Sequence, residues 1–196
     1  MNTTDDTTAD STGAPPSRRR RPHPDAASEA FYELERLGRR ELEKTFLRGH
    51  RPDLASLAGW EFRGANTPRL ARALGIKKFL KGFLRDGGEL RGYNRAVTQN
   101  RLRGPWTAKR AEPFGFYKVR PVDPTARDNA YLHALLLDYG EGENPRLDPS
   151  RGLRDYLVQV DASNPDLFLG KAYYAAGPLR IPLSFFILER HVRVRE

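Results

Sequence analysis

The chain has 196 residues, of which 38% are hydrophobic and 30% charged, with a net charge of +9 and no cysteine. That length suits one domain with a sizeable core, and the missing cysteine excludes structural disulfides, thiolate nucleophiles and Cys-ligated zinc. No apolar run nears the roughly 18 residues of a membrane-spanning helix; the longest, Ile181 to Leu188, is strand-sized and interrupted by Pro182 and Ser184.

Residues 1–26 are rich in Thr, Asp, Ser, Pro and Arg and nearly free of large apolar side chains. They bury too little to offset the entropy of ordering, so a disordered tail is expected there, with one domain over 27–196. The run Arg18-Arg19-Arg20-Arg21 is followed by Pro22-His23-Pro24. A twin-arginine export signal needs an apolar segment at that place, so a cytoplasmic protein is expected.

Ser28 suits a helix cap, and Phe31, Leu34, Leu42, Thr45 and Phe46 fall on one helical face, with Leu37 at its edge. Gly49 and Pro52 end this helix. A short turn over Leu54–Leu57 leads to an alternating strand at Trp60-Glu61-Phe62-Arg63. Thr67, Pro68 and Gly75 predict a second short helix. The rest reads as β. Strands over Ile76–Arg85 and Glu89–Thr98 flank the hairpin signal Asp86-Gly87-Gly88, and Phe114–Val122 and Ala130–Tyr139 flank a Pro/Asp/Asn turn. Leu153–Val160 and Leu167–Tyr174 flank Ser163-Asn164-Pro165-Asp166, and Leu179–Val194 ends the chain with Pro182 marking an edge or bulge. The expected fold is mainly β, a β-rich α+β domain: about eight antiparallel strands in a curved sheet or closed barrel, with an N-terminal helix.

Three features resemble the lipocalin-like, or calycin, barrels: Gly59-Trp60 after a helical turn, Leu137-Asp138-Tyr139 ending a later strand, and Arg190 in the last strand. The resemblance implies that Arg190 packs over Trp60 and closes one end of the barrel by a cation–π contact. The chain departs from that pattern in having Gly59 and Trp60 adjacent and Leu137 in place of Thr. It also resembles a group of bacterial proteins of unassigned activity that share blocks such as Leu137–Tyr139, Asn144-Pro145 and Leu169–Tyr173.

A search for chemistry finds no paired-histidine metal motif, nucleophile elbow, P-loop or dinucleotide fingerprint. No cofactor is implied, and the balance is against an enzyme. What stands out is polar residues at apolar-patterned strand positions. Lys171 lies between Leu169 and Tyr173, Asp155 between Leu153 and Leu157, and Asp138 interrupts the face of Leu132, Ala134 and Leu136. His133 is expected on a strand beside Tyr131 and Leu135. If such faces point inward, each charge needs a partner or a ligand, and a Lys171–Asp155 pair across the Asn164-Pro165 turn is one candidate. Tyr173, Tyr174, Phe185 and Phe186 of the terminal strands are expected to line a cavity.

Thirteen Arg or Lys in residues 61–110 face only Glu61, Asp86 and Glu89. That stripe could attract nucleic acid or an anionic surface. Strand alternation scatters it over both faces, so nucleic acid is not the expected partner. The leading expectation is a small hydrophobic or amphipathic ligand inside the barrel. An acid/base enzyme using Asp138, Asp155, His133 or Lys171 is the alternative.

Overall fold

The computed structural model describes residues 26–67 and 75–194. The expected tail and the short helix after Thr67 lie outside those residues. Eight strands form a closed antiparallel barrel in sequence order: β1 (Trp60–Asn66), β2 (Lys78–Asp86), β3 (Glu89–Ala96), β4 (Phe114–Pro121), β5 (Leu135–Asp138), β6 (Leu153–Asp161), β7 (Asn164–Ala176) and β8 (Leu179–Arg193). The last strand pairs back onto the first, from Trp60 opposite Arg193 to Asn66 opposite Phe186. Closure leaves no long sheet edge to template aggregation.

Local signals account for the connections. Gly87 and Gly88, both at positive φ, make the tight β2–β3 turn. Beside Pro182 the β7–β8 register shifts, because Tyr173 pairs with Pro182 while Ala172 pairs with Ser184. Proline has no N–H for the ladder, and the bulge absorbs that loss.

Strand alternation gives the wall two apolar faces. The interior holds Phe62, Phe79, Phe83, Tyr117, Leu135, Leu137, Leu157, Phe168, Phe186 and Leu188. The outer face, with Leu80, Leu136, Tyr156, Val158, Leu169, Phe185 and Ile187, is covered by helices. Those helices are α1 (Glu29–Arg36) and α2 (Arg39–Arg48). A single helix from Ser28 to Gly49 was the expectation. The chain instead turns extended at Leu37 and Gly38, and the bend lays both amphipathic pieces on a convex wall. Ser28 caps α1 by accepting from the Phe31 N–H at 3.2 Å, and its own N–H donates to Glu189 on β8.

Three interior rings lie flat over glycines in the neighbouring strand: Phe79 opposite Gly64, Tyr117 opposite Gly92 and Phe186 opposite Gly170. A Cβ at Gly170 would stand 2.0 Å from the Phe186 ring. Gly170→Ala should therefore cost about 1–3 kcal/mol in chemical denaturation, as overpacking does. Unchanged stability would mean that the ring moves freely.

The first end of the barrel is plugged. The short α3 (Leu54–Leu57) places Leu57 against Phe62, and Gly59 adopts φ +76° to turn into β1. The Arg190 guanidinium lies 4.7 Å from the centroid of Trp60, with Arg193 at 4.1 Å. Arg190 also donates to the Ser56 carbonyl at 2.8 Å and pairs with Asp166. Arg190→Ala and Trp60→Leu should be non-additive by about 0.5–1 kcal/mol in a double-mutant cycle. Strict additivity would show that the stack contributes nothing. The hydrogen bonds to Ser56 and Asp166 keep part of the Arg190 loss independent of Trp60.

Candidate ligand site at the open mouth

On β2, Phe79, Lys81 and Phe83 all point inward, so strand period alone carries one ammonium into an apolar interior. Directly opposite on β3 stands Asn94. From across the barrel come Asp155 of β6, inward between Leu153 and Leu157, and Tyr139, just past the end of β5. The Lys81 Nζ lies 3.3 Å from Asp155 Oδ2, donates to Asn94 Oδ1 at 3.0 Å and donates to the Tyr139 hydroxyl. That hydroxyl donates in turn to Asp155 Oδ2 at 3.2 Å. Asn94 is oriented by its own donation to the Gly115 carbonyl at 2.8 Å. The Tyr117, Tyr139 and Phe186 rings surround the ammonium at 4.5, 5.0 and 5.3 Å.

Lys81 and Asp155 are 2% and 4% exposed, so neither charge is shared with bulk water. Burial pushes the Lys81 amine below the ordinary lysine value, and the Asp155 charge offsets this in part. Burial likewise raises the Asp155 carboxyl, with Lys81 and Tyr139 pulling it back. Each group is held charged chiefly by the other, with Asn94 and Tyr139 completing the hydrogen bonds.

Beside this network is a cavity of about 150 Å³. Phe79, Phe114, Leu153, Ala172, Leu183 and Phe186 form its apolar walls, while Lys81, Asn94, Tyr139 and Asp155 supply polar atoms. Asp155 Oδ1 accepts no hydrogen bond from any described residue, so one carboxylate oxygen is left for an occupant.

Of the residues expected at a site, Asp155 and Phe186 lie here. Lys171, Tyr173 and Phe185 sit outside the barrel under α2, so the pairing of Lys171 with Asp155 is corrected. Asp155 lies opposite Ala172, and Lys171 lies opposite Tyr156. A one-residue offset in register sends a side chain to the other face. Lys171 pairs with Glu43 of α2 at 2.6 Å and donates to the Tyr131 hydroxyl, itself 2.7 Å from that of Tyr173. Asp138 also faces outward, bridged to Arg120 and Arg154 at 3.2 Å each. The expected strand through His133 is corrected too. Residues 131–134 form a turn closed by the Ala134 N–H on the Tyr131 carbonyl, and the His133 ring meets the Phe46 carbonyl at 3.2 Å. Gly59, Trp60 and Arg190 occupy the opposite end.

Sequence reasoning missed Lys81, Asn94 and Tyr139 as one group. The signal was a lysine flanked at i−2 and i+2 by phenylalanines, read as part of a basic stripe. Six cations of that stripe are committed elsewhere: Arg63 to Glu189, Lys81 to Asp155, Arg91 to three carboxylates, Arg95 to Glu61, Arg103 to Glu29, and Lys78 to loop carbonyls of Gly104 and Pro105.

No protein-family model matches the chain, and no curated protein matches it. Among solved structures it is similar to that of a protein from Thermomonospora curvata, 17% identical, with a TM-score of 0.49 over 84% of this chain and all of that one. No described helix is long and apolar enough to cross a membrane. Among the described residues, no group of three or more acidic or histidine side chains is arranged to hold a metal ion.

Proposed function

We propose that the protein binds a small amphipathic molecule at the open mouth of the barrel, in the cytoplasm and without a cofactor. The observation that carries this reading is an apolar cavity with an unshared carboxylate oxygen, Asp155 Oδ1, at a buried ion pair. Ligand pockets are mostly apolar with a few convergent polar groups that fix orientation, and this cavity has that composition at a small scale. Its volume of about 150 Å³ matches cavities that hold a benzene-sized molecule. The occupant is therefore a ring or short branched chain with one polar group, turned toward Lys81, Asn94, Tyr139 and Asp155. A long acyl chain is disfavoured, because Phe62, Phe83 and Phe168 fill the barrel below the mouth. The closed eight-stranded barrel and the Arg190–Trp60 stack at its plugged end support the lipocalin-like reading.

Nucleic acid is the weaker partner on this reading, since so much of the basic stripe is already paired. Native mass spectrometry with millimolar benzyl alcohol as probe should show one bound molecule on the wild-type protein. Ala172→Phe, which fills the cavity from its wall, should show none. A complex that survives in the filled variant would place the probe elsewhere and overturn the assignment.

A further inference from the structure

We infer that Lys81 is a reactive amine that condenses with a small aldehyde held in the same cavity, so that the site makes an imine as well as a non-covalent complex. The inference rests on the binding reading and deepens it by naming the ligand's functional group. Lys81 is the one lysine among the described residues that lines this cavity. Lys78, equally buried, is held outside the interior by the carbonyls of Gly104 and Pro105 and the ring of Trp106.

Imine formation needs an uncharged amine, a nearby group that can take up and return protons, and a site that sheds water. Asp155 Oδ2 stands 3.3 Å from Nζ, and Tyr139 bridges the two. Moving the ammonium proton to Asp155 leaves a neutral amine beside a neutral acid. In an enclosure where burial disfavours both charges, that transfer costs far less than in water. The largely apolar walls of the mouth, Phe79, Phe114 and Phe186 among them, seat the aldehyde beside Nζ and offer water few polar partners.

The steps balance. The Nζ lone pair forms the C–N bond while the carbonyl π pair moves to oxygen, and one N–H proton passes to that oxygen to give the carbinolamine. The Asp155 acid then protonates the hydroxyl, the C–O bond breaks, and one water leaves as the nitrogen lone pair forms C=N. The product is a protonated imine facing a carboxylate, the same charge pair that the barrel holds at rest. No oxidant or reductant takes part.

The test is reductive trapping. The full-length protein is incubated with benzaldehyde and sodium cyanoborohydride, digested, and every lysine scored for a benzyl group by mass spectrometry. Lys81 should be the dominant labelled lysine. An excess of benzyl alcohol should suppress that label, and Ala172→Phe, which keeps the amine but fills the cavity, should lose it. Lys81→Met should leave only the background on exposed lysines. Benzyl alcohol binding with no label at Lys81 would overturn the imine and leave the binding reading intact. Neither binding nor label would overturn both.

Discussion

Lys81→Met should lower the unfolding free energy by about 3–5 kcal/mol, measured by urea or guanidinium denaturation, because it strands a buried carboxylate. Asp155 would keep only the Tyr139 hydroxyl as a donor, at 3.2 Å, inside a ring of aromatic walls. Removing both charges with Lys81→Met and Asp155→Leu should recover most of the loss, since an apolar replacement has no charge left to desolvate. The pH dependence has a definite sign. Burial already raises the Asp155 carboxyl above its unfolded value, and losing Lys81 raises it further. A folded-state value above the unfolded one stabilises fully below the unfolded value and loses that contribution as pH rises through the folded value. The deficit of Lys81→Met should therefore shrink as the solution is acidified. A single variant as stable as the wild type at neutral pH, or a double variant no better than the single, would show that the pair is not buried together.

The second large effect is on the other side of the wall. Phe46→Ala should cost about 3–5 kcal/mol, the usual range for truncating a buried aromatic side chain. Phe46 is fully buried, meets Tyr131 edge-on at 5.0 Å and Phe185 at 6.2 Å, and anchors α2 to the barrel. Its loss should also loosen the cover over Lys171, whose Glu43 partner sits on the same helix. Binding of benzyl alcohol at the mouth should survive, because the wall separates the two apolar layers. A loss below about 1 kcal/mol would mean that α2 is held chiefly by its ion pairs.

Much of this architecture can be read from residue order alone. The Gly87-Gly88 turn, the alternation in β2 and the proline in β8 each carry a local cause, and local causes survive into the fold. The break at Leu37-Gly38 had a local signal in Gly38, a poor helix former, which the continuous apolar face masked. The shortened β5 answers instead to distant residues: Tyr131 and His133 leave the strand to meet Phe46. The site was half legible. A charge at an apolar-patterned position marked Asp155 correctly as inward, and the same rule applied to Lys171 found a second layer under α2. Sequence periodicity shows that a face is apolar without showing which side of the wall it covers. Only register settles that, and the offset between Lys171 and Ala172 decides which side chain faces Asp155.

A small amphipathic molecule seated at the mouth of the barrel must touch Lys81 and Asp155. The most direct measurement is a protein-observed NMR titration with benzyl alcohol, followed through the methyl groups of Ala172, Leu153 and Ile76 at the mouth and of Leu169 and Ile187 on the outer face. Shifts that saturate at the first three, with the outer two unmoved, are the predicted result. Shifts centred on Leu169 and Ile187, or none at the mouth while the probe still binds, would contradict it.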